Sequence, residues 1–277
     1  MGFPLLREWN MSILNVLFIG DIIGVPGLNF VGEHLKNIVK KHKIHFVIAN
    51  GENLAGGKGI LEKDGKKAFE LGINVLTGGN HTFSKIQSNK YIAEEQRVLR
   101  PANHHDDVYG RGYNIYPVAV DGALFKLAII NVMGRVYIST LNCPFRTAHK
   151  LSERLKHETN LVIVDFHGEA TAEKIAFSWY MDGKVSAVVG THTHVQTADE
   201  RILPNGTAYI SDIGMTGGFD GVIGSKKESS INRFYYQTPQ KQDVADSDLH
   251  ISAVVLNIDT ETGKTVKISR VFEPAWK

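Results

Sequence analysis

Polar clusters rich in Asp, Glu, Asn and His recur along the chain, each directly after a short β-branched run. The six clusters are Gly20-Asp21, Asn50-Gly51-Glu52-Asn53, Gly78-Gly79-Asn80-His81, Asp165-Phe166-His167, Thr191-His192-Thr193-His194 and Ser211-Asp212. Carboxylate, amide and imidazole groups without a thiolate suit divalent ions such as Fe, Mn and Zn. Seven of these residues are candidate metal ligands, too many for one ion and about right for two: Asp21, Glu52, Asn53, Asn80, His167, His192 and His194.

The paired histidines are the most specific of these signals. Residues i and i+2 of an extended segment point to one side, so we expect His192 and His194 to face one metal centre. Gly20-Asp21 alone is typical of an ordinary turn after a strand. The joint occurrence of the clusters therefore favours a metal site. The other eight histidines lack such placement, and we interpret them as surface or packing residues: His34, His42, His45, His104, His105, His149, His157 and His250.

The clusters imply elements that would bring them together. Apolar runs at residues 16–19, 46–49, 75–77, 161–164, 187–189 and 208–210 predict strands buried on both faces. Between them we predict helices over residues 26–43, 62–71, 84–95 and 171–181, with Thr171 as the N-cap of the last. Residues 113–133 and 251–272 predict antiparallel hairpins, and the Gly-rich residues 214–224 a mobile loop. In such α/β sheets ligands collect at the carboxyl ends of the strands.

The composition is that of an ordinary globular domain. The 277 residues carry a formal charge of +2, with 12 His and a single Cys. This balance gives no electrostatic reason to expect long nucleic acid or an anionic membrane as the main partner. No run reaches the ~18 apolar residues of a membrane span, and the start is a poor signal peptide, so we expect a cytoplasmic protein. We predict one domain over residues 11–277, with residues 1–10 as a dispensable extension. A homo-oligomer is compatible with the sequence.

Taken together, the clusters resemble the strand-end motifs of the calcineurin-like metallophosphoesterases, an Asp, a Gly-Asp, a Gly-Asn-His, a lone His and a Gly-His-x-His. Two positions depart from that pattern: Ile23 stands where the family usually has a His, and Glu52 replaces the usual bridging Asp. These departures, with the Gly-Met-Thr-Gly run at residues 214–217, are similar to the YmdB-like branch, whose members are cyclic-nucleotide phosphodiesterases. The resemblance extends over nearly the whole chain from residue 11.

The resemblance implies a four-layer α/β/β/α sandwich with mixed sheets and a centre of two divalent metal ions, Fe or Mn in the first place, with Zn or Mg as alternatives. One ion would be held by Asp21, Glu52, Asn53 and His194, and the other by Glu52, Asn80, His167 and His192. Asn53 would take the place left empty at Ile23. His81 matches the family's proton donor.

The activity implied is hydrolysis of a 2′,3′-cyclic nucleotide, or of another phosphodiester, by a hydroxide bound between the two ions. Physical chemistry agrees, because two such ions lower the pKa of a bridging water towards ~7 and clamp the phosphoryl oxygens. Only two of the predicted ligands are anionic, so the centre attracts an anionic diester. Arg100, Asn103, Arg111 and Tyr113 lie in a loop-rich segment and could contact the substrate, although exposed polar loop residues are usually just solvated.

Three other classes of protein are alternatives to this hypothesis. A dinucleotide-binding turn needs Gly-x-Gly-x-x-Gly, which residues 20–24 lack, and a P-loop needs Ser or Thr where Gly59 stands. A metal-stabilised RNA-binding or regulatory protein with little catalysis is the third alternative. It would have no need of a proton donor such as His81, so the presence of that residue favours an enzyme.

Overall fold

Strands and helices alternate through the first two thirds of the chain in the computed structural model, which describes residues 12–276. The helices are α1 (Gly24–His42), α2 (Glu62–Glu70), α3 (Asn89–Glu94), α4 (Pro144–Leu155), α5 (Thr171–Met181) and α6 (Lys227–Tyr236). The strands are β1 (Ile13–Ile19), β2 (Asp21–Ile22), β3 (Phe46–Asn50), β4 (Val75–Thr77), β5 (Val98–Leu99), β6 (Tyr113–Val120), β7 (Ala123–Met133), β8 (Val162–His167), β9 (Ala187–Thr191), β10 (Arg201–Ile202), β11 (Ala208–Ile210), β12 (Met215–Gly218), β13 (Gly221–Val222), β14 (Ser225–Lys226), β15 (Leu249–Asp259) and β16 (Thr265–Glu273). The fold is therefore mixed α/β, as predicted.

Two large mixed sheets contain most of the strands. The eight-stranded sheet has the order β2-β12-β15-β1-β3-β4-β5, with β16 paired to β15, and the six-stranded sheet has the order β10-β11-β9-β8-β7-β6. Strands β1, β3, β4 and β5 are parallel neighbours, and so are β7, β8, β9 and β11. The predicted hairpins are confirmed as β6–β7 and β15–β16. The carboxyl ends of the parallel strands therefore share one edge in each sheet.

Three apolar clusters hold the elements together. One contains side chains of both sheets, including Phe18, Ile48 and Ile163. A second joins the eight-stranded sheet to α1 and α2, and a third joins the six-stranded sheet to α4 and α5. Since the central strands contribute to two clusters each, both of their faces are buried, which explains their continuous apolar sequences.

Some predicted elements differ from the structure. The helix expected over residues 84–95 is reduced to a 3₁₀ turn (Ile86–Ser88) and the short α3, and the N-cap of α5 is Ala170 rather than Thr171. Helices α4 and α6 were not predicted. The apolar positions of α4 do follow a helical period, but α6 buries only Ser230 and so carries no such pattern.

The predicted mobile loop over residues 214–224 is also wrong, because it contains the buried strand β12. Strand β12 pairs with both β2 and β15. A Cβ at Gly218 would approach the carbonyl oxygen of Ala245 to 2.6 Å, so glycine permits close packing here rather than mobility.

No helix within residues 12–276 is long and apolar enough to cross a membrane. The predicted extension at residues 1–10 lies outside the described residues.

Candidate metal centre and active-site cleft

The predicted ligands come from different parts of the sequence and meet where parallel strands end. Asp21 follows β1, Glu52 and Asn53 follow β3, and Asn80 follows β4. From the other sheet, His167 ends β8, and His192 and His194 follow β9. The structure brings all seven together, because the two sheets share an apolar cluster and the strand ends that carry these residues meet beside it. Their role as metal ligands remains a prediction.

One half of the centre is gathered around Nε2 of His167. This nitrogen lies 3.2 Å from Oε1 of Glu52, 2.8 Å from Oδ1 of Asn80 and 3.0 Å from Nδ1 of His192. A ring nitrogen carries at most one proton and cannot satisfy three polar neighbours. Ligand atoms of Glu52, His167 and His192 all lie within 4.8 Å of one another. This crowding of donor atoms fits a divalent cation.

The other half surrounds Asp21, whose carboxylate is completely buried. Its Oδ2 accepts a hydrogen bond from the backbone N of His192 at 3.4 Å, but its Oδ1 has no hydrogen-bond partner within the described residues. Nε2 of His194 is 3.8 Å from this Oδ1 and 3.2 Å from Nδ2 of Asn53. A buried, unpaired carboxylate oxygen is costly unless a cation or a proton satisfies it. Asp21, Asn53 and His194 therefore also fit a cation.

Glu52 contacts the His167 half, and its charge also acts on Asp21. Its Oε1 faces His167, and its Oε2 accepts a hydrogen bond of 2.8 Å from the backbone N of His81. A Cβ on Gly79 would lie 2.3 Å from Nε2 of His167 and 2.5 Å from Oε2 of Glu52. The glycine of the Gly-Asn-His motif is thus required by the close approach of the backbone to these two groups.

Burial and mutual charge shift the acidity of these groups. Burial raises the pKa of Asp21 to about 7, although the charges of His194 and His167 oppose it. Burial also acts to raise the pKa of Glu52, but the charge and hydrogen bond of His167 prevail and lower it to about 2. Burial opposes protonation of His167, yet Glu52 raises its pKa to about 9. Without a cation, His167 and Glu52 thus form an ion pair.

Burial followed by the charge of His167 lowers the pKa of His192 to about 3. His192 is therefore neutral at physiological pH, as a metal-binding imidazole must be. Its Nε2 lies 3.0 Å from Oε2 of Glu169, a half-exposed carboxylate at the mouth of the site. Glu169 orients the ring from the side opposite His167.

The buried carboxylate of Asp165 orients His167 through Thr191, on the side of the ring away from the other ligands. Asp165 was not among the predicted site residues. Oγ1 of Thr191 donates to Oδ1 of Asp165 at 2.7 Å and lies 2.9 Å from Nδ1 of His167. Because the Thr191 proton goes to Asp165, Nδ1 of His167 donates to Thr191. When His167 is neutral, this bond leaves Nε2 free as the ligand atom.

The turn that carries His192 and His194 differs from the extended segment we expected. His192 has φ 105° and His194 has φ 66°, so the two side chains diverge. His192 approaches His167, and His194 approaches Asp21. The expected extended backbone is therefore wrong, although both rings line the same cleft. The two rings lie in different halves of the candidate centre.

A buried ion pair holds this turn in place. Nζ of Lys174, on α5, donates to Oδ2 of Asp212 at 2.8 Å and to the carbonyl of Thr191 at 2.9 Å. The same carboxylate oxygen accepts from the backbone N and from Oγ1 of Thr193 at 2.9 and 2.8 Å. The strand-end cluster Ser211-Asp212 was the available signal for Asp212. No sequence signal pointed to Lys174, because a lysine inside a helix normally faces solvent.

His81 lies beside the centre at the edge of an open cleft of about 470 Å³. Its ring is half-buried, with Nε2 3.3 Å from the amide of Asn80 and Nδ1 3.5 Å from the hydroxyl of Ser84. Burial lowers the pKa of this imidazole. Glu52, Asn53, His192 and His194 also line the cleft, so a molecule bound there reaches both halves of the centre.

The candidate substrate contacts from the loop-rich segment lie elsewhere. Arg100 is buried and donates to the carbonyl of Pro101 at 2.9 Å, and Asn103 donates to the carbonyl of Met133 at 2.7 Å. Arg111 and Tyr113 are likewise outside the lining of the cleft in the described part of the chain. These residues have structural roles. The cations that do line the cleft, Lys58, Lys85 and Arg233, were not identified from the sequence.

Comparisons with known proteins agree with the motifs. A family model described as YmdB-like protein matches residues 17–271. The chain is 45% identical over 259 residues to a 2′,3′-cyclic-nucleotide 2′-phosphodiesterase of Bacillus subtilis, which covers 94% of this chain and 97% of the relative.

Solved structures give the same result. A phosphatase from Mycoplasma pneumoniae superposes with a TM-score of 0.86 at 34% identity, covering 95% of this chain and 94% of that one. A Thermus thermophilus protein described as hypothetical gives 0.85 at 38% identity, covering 94% and 98%. A 5′-nucleotidase from Candida albicans shares the fold alone, with a TM-score of 0.55 at 13% identity over 94% of this chain and 50% of that one. The chain belongs to the YmdB-like protein family.

Proposed function

We propose that this protein is a phosphodiesterase that hydrolyses 2′,3′-cyclic nucleotides at a centre of two divalent metal ions. The observation that carries the proposal is the convergence of seven carboxylate, amide and imidazole side chains beside His81, four of which line one open cleft. The name of the Bacillus subtilis relative supports the substrate class and suggests that the bond to O2′ breaks. The product would then be a nucleoside 3′-phosphate.

Asp21, Asn53 and His194 would hold one ion, Asn80, His167 and His192 the other, and Glu52 both. Glu52 suits the shared position because its charge acts on both His167 and Asp21 and its low pKa keeps it ionised. Divalent ions bound there would supply Lewis-acid activation of water and would offset the charge of the phosphate. The buried Asp165 and Thr191 would keep Nε2 of His167 directed at the centre.

His81 would donate the proton that the leaving O2′ requires. Its backbone N is bound to Glu52, so the ring stays at a fixed place beside the cleft. Burial lowers the pKa of the free imidazole, and an anionic phosphodiester close to the ring would raise it again. The proton would therefore be taken up as substrate binds, which is the protonation state that a general acid needs.

We also propose that the layers follow the order α/β/β/α in one domain. The support is that one apolar cluster contains side chains of both sheets, while each sheet shares a separate cluster with its own helices. The strand ends that carry the ligands then belong to two facing sheets.

The test is metal analysis of anaerobically purified protein, followed by assays with a 2′,3′-cyclic nucleotide, the matching 3′,5′-cyclic nucleotide and a generic aryl phosphodiester. We expect two ions per chain, Fe or Mn, and hydrolysis of the 2′,3′-cyclic substrate to the 3′-phosphate. Absence of bound metal together with absence of diester hydrolysis under every metal supplement would refute the proposal. Bound metal without hydrolysis of any diester would favour the RNA-binding or regulatory alternative.

A further inference from the structure

A second cleft, of about 570 Å³, adjoins the cleft that contains the metal centre. The two clefts share the side chains of Lys58, Arg233, Phe234 and Gln242. Beyond these, the second cleft is lined by residues just after α6, among them Gln237 and Gln240. The clefts thus form one continuous path that leads from the metal centre along α6.

One face of α6 forms the wall of this path. Ser230, Arg233 and Phe234 line the clefts at positions i, i+3 and i+4 of the helix, and Gln237 follows directly after its end. Such a face normally packs against a core, but here Phe234 is 72% exposed. The face is therefore directed at the open path and is available to a ligand.

The wall is tied firmly to the rest of the site. Oγ of Ser230 donates to the side chain of Gln242 at 3.1 Å, and the backbone N of Lys226 donates to the carbonyl of Asp243 at 2.8 Å. Nδ1 of His194 bonds the carbonyl of Ile223 at 2.9 Å. The β13–β14 hairpin, which leads directly into α6, is thus bonded to a predicted metal ligand.

The path carries positive charge that the protein itself does not neutralise. The neighbouring lysines Lys226, Lys227 and Lys241 each pair with an aspartate. By contrast, no carboxylate oxygen of residues 12–276 forms an ion pair with Lys58, Lys85 or Arg233. A cyclic mononucleotide has one phosphate and one base. The unpaired cations and the exposed Phe234 provide for a second phosphate and a second base.

We propose that the second cleft binds the nucleotide on the 5′ side of a terminal 2′,3′-cyclic phosphate, so that the substrate class is short RNA ending in that group. This inference rests on the proposed function and leaves its chemistry unchanged. Phe234 stacks on the penultimate base, and Arg233 and Lys58 bind the internucleotide phosphate. An aromatic platform beside cations is a general device for binding single-stranded nucleic acid without sequence preference.

The test compares kcat/KM for adenosine 2′,3′-cyclic phosphate with that for the dinucleotide ApA ending in a 2′,3′-cyclic phosphate. Stacking of one more base predicts a preference of about tenfold for the dinucleotide. Equal or lower kcat/KM for the dinucleotide overturns the proposal that the second cleft binds a nucleotide, whereas the proposed function stands.

Substitutions test which side chains cause the preference for the dinucleotide. Phe234→Ala and Arg233→Ala should each lower the dinucleotide-to-mononucleotide ratio several-fold. The matched controls are Tyr236→Ala, an exposed aromatic of α6 that lines neither cleft, and Arg146→Ala, an exposed arginine of α4. Loss of the preference in the controls as well, or its retention in Phe234→Ala and Arg233→Ala, contradicts the proposal.

Equilibrium binding provides a readout that does not require turnover. The hydrolysis products are adenosine 3′-phosphate and the dinucleotide ApA 3′-phosphate, and we expect the second to bind about tenfold more tightly. Equal affinities overturn the inference even if the protein hydrolyses no cyclic phosphate. Tighter dinucleotide binding without hydrolysis supports the second cleft and counts against the proposed function alone.

Discussion

The floor and the rim of the cleft differ in burial and in the way their charges are paired. The floor consists of Asp21, Glu52, His167, Lys174 and Asp212, which are all buried and, apart from Oδ1 of Asp21, held by charged or neutral hydrogen bonds. The rim consists of Lys58, Lys85, Arg233 and Phe234, which extend into the open cleft. Burial makes each floor interaction strong and its loss expensive, whereas exposed charges are individually weak and screened by salt. The floor therefore determines whether the chemistry occurs, and the rim which substrates are favoured.

The largest expected effect is that of Glu52→Gln on the floor. The amide keeps the shape of the side chain but removes the carboxylate that we propose holds both ions. It also leaves His167 without its counter-charge. We expect loss of bound metal and no detectable phosphodiesterase activity, measured by metal analysis and by the cyclic-nucleotide assay.

Asp220→Asn is the matched control, because Asp220 is an exposed carboxylate near the rim that pairs with Lys227. It should keep normal metal content and activity. Full metal content in Glu52→Gln would show that Glu52 is not a shared ligand and that the floor is less sensitive than its burial implies.

His81→Ala should come next in size. General acids contribute about 10²- to 10⁴-fold to a rate, so we expect kcat to fall by that amount. Metal content should stay near normal, because the His81 ring contacts only the amide nitrogen of Asn80, not its ligand oxygen, and its backbone N still holds Glu52. Activity at the wild-type level in the metal-loaded variant would remove the proton-donor role. Loss of bound metal would instead show that His81 supports the metal centre, as the residues of the floor do.

Lys174→Met tests the floor at a residue that touches no predicted ligand side chain. The substitution leaves the carboxylate of Asp212 buried without its cation, which costs about 3–5 kcal/mol. The free energy of unfolding in urea should fall by this amount. Metal affinity should drop about 10- to 100-fold, as is usual when support behind a ligand is lost.

The double variant Lys174→Met/Asp212→Asn supplies the control for that measurement. Removing both charges should cost less stability than the sum of the two single changes. If Lys174→Met unfolds no more easily than Lys36→Met, a change at an exposed lysine of α1, the ion pair is not a support of the His192 turn.

The metal-free floor should also release protons when metal binds. His167, with a pKa of about 9, must lose its proton to serve as a ligand, and so must Asp21 below about pH 7. Protons compete with the metal, so affinity rises with pH. It should rise about tenfold per unit between pH 7 and 8.5, and more steeply below pH 7. Competition titrations with a chelator measure this slope, and a pH-independent affinity would contradict the His167–Glu52 ion pair.

The floor could be predicted from the sequence far better than the rim. Asp21, Glu52 and His167 follow buried apolar strands, and the carboxyl ends of such strands lie at one edge of a sheet. The rim has no comparable rule, because Arg233 and Phe234 lie on α6, whose only buried residue is Ser230. Without an apolar face, α6 gives no helical period, so neither the helix nor its position over the cleft could be derived.

The local backbone conformation was the other feature that could not be predicted from the sequence. The two histidines of the Thr-His-Thr-His segment were identified correctly as a pair, but the positive φ angles of His192 and His194 have no signature in these residue types. Those angles depend on tertiary contacts with Asp212. Strand β12 was missed for a similar reason, because a Gly-rich run predicts a loop unless the close packing of neighbouring backbones is known.

The smallest expected effect is that of Lys85→Ala on the rim. Lys85 lines only the cleft with the metal centre and forms no ion pair within residues 12–276, so its amine contributes a single, partly exposed charge. Exposed charge pairs contribute about 0.2–1 kcal/mol. We therefore expect the KM for a cyclic mononucleotide to rise no more than about fivefold, with kcat unchanged. High salt should abolish the difference, because ~1 M salt screens charges beyond ~3 Å. A large fall in kcat would place Lys85 in the chemistry and would remove the distinction between floor and rim.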